Sequence, residues 1–267
     1  MKELRLDLEA TLIQAVCGHG HAHYGYFPDG MPEQPSLQAL GEAQQAYFDL
    51  LVAQIPPDTK TILDVGSGTG ANALGLTKLG YELECLCPST YLNDLARGKL
   101  PETVQVHDTM FEDFETERTF DVCMFAESFH YIALDRALAQ LDRYAQKGVV
   151  IFDYFRRNPQ AGEGGTRGTH AEFCEAVAKQ GVFEIISDED LTDAILPTFV
   201  LLDHLRSELF GPFADRARKS LATAYPVRSR LAEMLFGKKI DKLGQARGRA
   251  DRFAKAFEYR FVVMARR

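Results

Sequence analysis

The chain has 267 residues, enough for one large domain or a core with one sizeable insertion. Hydrophobic residues make up 46% and charged residues 25%, which excludes a disordered or fibrous chain, and no apolar run approaches the ~18–20 residues of a membrane span. The net charge of −8 is unevenly shared: 16 Lys/Arg against 7 Asp/Glu from Leu201 onward give +9, while 14 against 31 leave residues 1 to 200 at −17, an imbalance that argues against nucleic-acid binding by the core. The start Met1-Lys2-Glu3-Leu4-Arg5-Leu6-Asp7 mixes charges where a signal peptide needs an apolar stretch, so a cytoplasmic location is expected. Cys17, Cys85, Cys87, Cys123 and Cys174 are odd in number and lack CxxC spacing, as ordinary reduced thiols would.

In chain order, an amphipathic helix is predicted over Leu37 to Gln54, closed by Pro56-Pro57. From Thr61 short apolar runs alternate with helical patterns, as in a parallel sheet with crossover helices. The predicted strands are Thr61 to Val65, Tyr81 to Cys87, Thr103 to Val106, Phe120 to Phe125, Gly148 to Asp153, Phe183 to Ser187 and Tyr259 to Ala265. Helices are expected at Asn72 to Leu79, Tyr91 to Lys99, Ala133 to Gln146 and Ala171 to Gln180. Leu191 to Phe257 reads as helical, with Leu201, Leu202, Leu205, Leu209, Leu231, Leu235 and Leu243 at three- and four-residue steps and breaks at Gly211-Pro212 and Pro226.

Chemistry concentrates at Ile62-Leu63-Asp64-Val65-Gly66-Ser67-Gly68-Thr69-Gly70, a buried strand running into a glycine turn at the mouth of a helix. Glycines let backbone approach a ligand closely, and helix-start N–H groups with the Asp64 carboxylate offer polar contacts. The stretch resembles the first motif of the class I, Rossmann-like S-adenosylmethionine-dependent methyltransferases, with Ser67 where cysteine is common; dinucleotide-binding proteins generally lack the acidic residue and space their glycines differently.

That resemblance, which runs from about His23 to Ser187, implies a seven-stranded, mostly parallel sheet with helices on both faces and a helical insertion before the last strand. The implied domains are a lid and helix at 1–60, a cofactor-binding core at 61–188, a helical substrate cap at 189–256 and a last core strand at 257–267. It further implies S-adenosylmethionine as cofactor and S-adenosylhomocysteine as product. Gly66, Ser67, Gly68 and Gly70 would border the cofactor's methionine and ribose, Asp64 its amino group, and Asp108, Thr109 and Met110 its adenine. The family's acidic ribose ligand is replaced here by Cys87, so the ribose would be held by Ser89, by water or less firmly; Glu84 lies on the opposite strand face. Glu127, Ser128 and His130 would stand at the methionine end or the acceptor, and His130 also reads as a merely packed histidine.

Upstream, His23-Tyr24-Gly25-Tyr26-Phe27-Pro28-Asp29-Gly30 is similar to the segment that lies over the site in cyclopropane fatty acid synthase-like and tocopherol methyltransferase-like enzymes, which makes Tyr24 and Tyr26 lid candidates. Cys17, His19, His21 and His23 alternate in a Gly-containing loop, a spacing that matches no zinc pattern, so no metal is expected. His130, Glu127 and Tyr24 are the catalytic candidates. The expected function is methyl transfer to a small-molecule or lipid-like acceptor; a nucleic-acid methyltransferase, or a cofactor-binding protein without turnover, is the alternative. An acidic carrier protein could meet the basic C-terminal helices through residues such as Arg228, Arg230, Lys238 and Lys239.

Overall fold

The computed structural model describes residues 11, 14–159, 168–205, 207–208, 211–225 and 248–267. Seven strands, β1 (Thr61–Val65), β2 (Glu82–Leu86), β3 (Gln105–His107), β4 (Phe120–Ala126), β5 (Ala145–Arg156), β6 (Phe183–Asp190) and β7 (Phe257–Arg266), form one sheet in the order β3-β2-β1-β4-β5-β7-β6. Pairs among β1 to β5 are parallel, while β7 runs antiparallel to both neighbours. Alternation along the strands builds two cores. Leu63, Val65, Cys123 and Phe125 face one layer, and Ile62, Val122, Met124 and Phe152 face the other.

The described helices are α1 (Leu37–Ala53), α2 (Ala71–Lys78), α3 (Thr90–Arg97), α4 (Leu134–Tyr144), α5 (His170–Gln180), α6 (Thr192–Leu205), α7 (Gly211–Ala224) and α8 (Arg249–Ala256). Side chains fix several starts: Ser36 accepts from Ala39 N, Ser89 from Leu92 N, and Thr169 with Glu172 closes a capping box.

Several expected boundaries move. The helix expected to reach Gln146 stops at Tyr144, because buried Ala145 pairs with Phe120 and opens a twelve-residue β5. The third strand begins at Gln105 rather than Thr103, since Val104 N turns back to Pro101 O. The sixth runs on to Asp190, its pairing with β7 extending to Arg260. The break expected at Gly211-Pro212 falls at the start of α7, where proline's missing N–H costs nothing. Residues 226–247, with Arg228, Arg230, Lys238 and Lys239, lie outside the described residues.

The strand order reverses between β1 and β4, and the crevice beyond the carboxyl ends of these strands is where an open α/β sheet binds ligands.

Candidate active site

A cleft of about 460 Å³ opens at that reversal, within the range of small-molecule sites. One wall is the turn after β1. Gly66 N and Ser67 N both donate to Leu86 O, at 2.7 and 3.1 Å, and Gly70 N donates to Ser67 O at 2.9 Å. The Gly66 and Ser67 amides therefore pin the turn to β2 and the Gly70 amide closes it on itself, while α2 itself begins at Ala71. At Gly66 a Cβ would fall 2.3 Å from the Ser128 Cβ, and at Gly70 one would fall 2.9 Å from the Ala96 Cβ. Only at Gly68 would it meet open space, with nothing closer than Gly66 O at 3.9 Å, and Gly68 lines the cleft.

Asp64 lies behind the turn with its Oδ2 buried and without a partner among the described residues. Burial alone lifts its carboxyl to about 7. Cys87 and Ser89 line the same wall, though the Ser89 hydroxyl already caps α3 and Asn93 donates to the Cys87 carbonyl at 2.7 Å. Glu84 is buried on the other face, bonded to His107 at 2.8 Å and Arg118 at 2.6 Å, so it takes no part in the cleft.

The opposite wall is the end of β4. Glu127 adopts φ +59°, a left-handed conformation that is strained for a non-glycine residue and that aims its side chain inward. Its Oε1 accepts from Tyr24 N at 2.7 Å and from Tyr259 OH at 3.2 Å, and Tyr259 OH meets Tyr47 OH at 2.9 Å. Desolvation outweighs these bonds and pushes the carboxyl up to about 8. Ser128 donates to Val65 O at 2.5 Å, clamping β4 to the glycine turn. Tyr24, half-buried against Phe199, is held well above the usual phenol range by desolvation and then by Glu127.

His130 follows in a single 3-10 turn. Its Nδ1 meets Asp153 Oδ1 at 2.7 Å, its main-chain N donates to Asp153 Oδ2 at 3.1 Å, and Tyr154 N donates to Asp153 Oδ1 at 2.8 Å. Acceptor-only Asp153 fixes the proton on Nδ1 and leaves the Nε2 lone pair free. That Nε2 is buried without a partner among the described residues, and the ring stands between Tyr131 and Tyr154 at 3.8 and 4.2 Å on the cleft wall.

Asp64, Gly66, Ser67, Gly68, Cys87, Ser89, Glu127, Ser128, His130 and Tyr24 thus converge on one cleft. Gly70, Tyr26, Asp108, Thr109 and Met110 are absent from its lining. Asp108 is bound by Asn93 and Arg97, which hold its carboxyl below the ordinary range, and Met110 is exposed. Tyr26 N donates to Ala43 O, and its ring packs at the edge of the core.

Sequence reasoning missed Asp153, Tyr154, Tyr259, Gln44 and Arg249. Asp153 carried the clearest available signal, as the first acidic residue after five apolar or glycine positions in β5. His21 stacks on Phe48 and His23 on Tyr47, and both are neutral; burial, then the neighbouring histidine, drives them down to about 4 and about 3.

The arrangement fits the cofactor implied by the sequence: a carboxylate orphaned in the cleft, a glycine whose missing side chain leaves room, and a volume to match. Residues 63–152 match the family described as "Methyltransferase domain". An uncharacterized methyltransferase of Mycobacterium tuberculosis (strain ATCC 25618 / H37Rv) is 27% identical over 94 residues, 35% of this chain and 39% of that protein. The chain thus spans about two fifths of the curated relatives it matches first. Geranyl diphosphate C-methyltransferase from Streptomyces coelicolor A3(2), in complex with S-adenosyl-L-homocysteine, superposes with a TM-score of 0.70 at 17% identity, covering 99% of this chain and 96% of that one. The [4+2]-cyclase SpnF gives 0.67 at 19% identity, covering 99% and 94%.

Proposed function

We propose that this chain is a Rossmann-like S-adenosylmethionine-dependent methyltransferase, a reading supported by its match to the methyltransferase-domain family and its fold, and that it methylates a small molecule that enters the aromatic side of the cleft, with His130 receiving the acceptor's proton. Bound S-adenosylmethionine supplies a methyl group already activated on a sulfonium. The protein's work is therefore to place the acceptor, exclude water and take a proton. Asp64, Gly66, Ser67 and Gly68 would hold the cofactor, with Cys87 and Ser89 beside its ribose.

The observation that carries the proton-accepting role is the free, buried Nε2 of His130, oriented by Asp153. An acceptor hydroxyl donating to Nε2 gives up its proton as its oxygen gains the methyl group. Asp153 stabilises the resulting imidazolium until the proton passes to solvent. Glu127 is mostly protonated at neutral pH and Tyr24 is a reluctant acid, so both serve better as neutral polar walls than as bases.

Because SpnF, which shares the fold, is a [4+2]-cyclase, the test must read methyl transfer itself. The protein is incubated with methyl-labelled cofactor and fractionated extract, and the labelled fraction names the acceptor. On that acceptor, His130→Gln should lower kcat about 10²–10⁴-fold while calorimetric affinity for S-adenosylhomocysteine stays native. Undiminished turnover would remove His130 from the proton's path, and tight cofactor binding with no labelled product in any fraction would remove the activity.

A further inference from the structure

The cap side of the cleft holds a cation whose hydrogen bonds are only partly used. Arg249, the first residue of α8, donates from Nε to Asp203 Oδ1 at 2.6 Å, and Asp203 lies on α6. A purely structural pair would place both Nε and Nη2 on the two carboxylate oxygens, since that fork matches a carboxylate. Here the second oxygen is directed elsewhere: Asp203 Oδ2 takes the main-chain N–H of Arg249 at 3.4 Å. Nη2 is consequently buried with no partner among the described residues, and Arg249 lines the cleft together with Phe199 and Leu202.

A buried guanidinium N–H left without an acceptor is costly, so a fold that keeps one has a use for it. The Thr198 hydroxyl, which also lines the cleft, is turned to Gly25, accepting from its N and donating to its O. Next to the apolar Phe199 and Leu202, a hydrogen bond to a charged oxygen is stronger than in water. We propose that Arg249, held in place by Asp203, binds an anionic oxygen of the methyl acceptor, so that the substrate is an amphiphile bearing a carboxylate or a phosphate monoester. Asp203 leaves the pair nearly neutral; recognition then comes from the direction of the free N–H rather than from long-range attraction.

This rests on the cleft being the methyl-transfer site, and binding measurements separate the two ideas. With the protein saturated by S-adenosylhomocysteine, decanoate, decyl phosphate and decanol are titrated calorimetrically. At least one anion should bind about tenfold or more tightly than decanol, and whichever does identifies the headgroup. Arg249→Leu should bring that anion to the level of decanol without changing affinity for S-adenosylhomocysteine. Arg249→Lys, which keeps a cation opposite Asp203 if the leucine variant misfolds, should lose most of the preference because it lacks the planar fork. Equal binding of all three probes by the wild type, or an anion preference that survives both substitutions, overturns the proposal. Failure of methyl transfer alongside an intact Arg249-dependent preference would instead count against the activity.

Discussion

At the scale of single residues, the informative groups are those whose burial contradicts their chemistry. Asp64 is a carboxyl lifted to about 7 by desolvation alone, with one oxygen unpartnered. A cationic amino group placed against it would reverse that shift, so binding would release a proton. Affinity for S-adenosylhomocysteine is therefore expected to rise with pH through about 7, approaching tenfold per unit on the acid side, and Asp64→Asn should be weaker and lack the dependence. Calorimetry in buffers of different ionisation enthalpy reads the released proton directly; the same affinity at pH 6 and pH 8 would show that Asp64 does not meet the amino group. Asp153, by contrast with the unpartnered Asp64, has three donors arranged around its carboxylate.

At the scale of elements, the turn from β1 into α2 separates two uses of glycine that look alike in sequence. Gly70 is packed: its φ is +78°, and a Cβ would strike the Ala96 side chain at 2.9 Å and its backbone at 3.2 Å. Gly70→Ala is expected to cost about 2–4 kcal/mol from left-handed strain and overpacking. Gly68 has φ +56° but empty space beside it, so Gly68→Ala should cost only about 1–2 kcal/mol, and Gly68→Val should fold yet lose cofactor binding. Urea unfolding and calorimetry on the same samples decide it; a cofactor-competent Gly68→Val would mean that the ligand lies elsewhere.

The strand-turn-helix itself was legible because local geometry dictates its sequence, and the seven-strand alternation was legible because hydrophobic period is a local signal. What sequence could not give was set by distant contacts. Ala145 joins β5 because it pairs with Phe120, Asp153 meets His130 across two strands, and Arg249 meets Asp203 from the far end of the chain. Asp108, Thr109 and Met110 stand after β3 as expected, but Asn93 and Arg97 take up Asp108 outside the cleft lining.

At the scale of the whole molecule, the buried ionisable groups along the cleft set how stability follows pH. Asp64 and Glu127 are raised to about 7 and about 8 from ordinary values of 3.8 and 4.5. The folded state therefore holds protons that the unfolded chain has released, and stability falls as pH rises through those intervals. His21 and His23 are lowered to about 4 and about 3 from 6.5; the unfolded chain takes up protons that the folded state refuses, so stability falls as pH drops below 6.5. Between about pH 4.5 and 6.5 the two pairs oppose each other and nearly cancel. Above 6.5 the histidines are neutral in both states and only the carboxyls act, over about half a unit for Asp64 and one and a half for Glu127. At about 1.4 kcal/mol per unit, the ligand-free protein should lose roughly 2–3 kcal/mol between pH 6.5 and pH 8. Saturating S-adenosylhomocysteine should remove the Asp64 share of that slope, and Glu127→Gln the larger remainder. Urea unfolding at the two pH values measures it, and a ligand-free midpoint that holds steady or climbs toward pH 8 would show that these carboxyls are already charged in the folded protein.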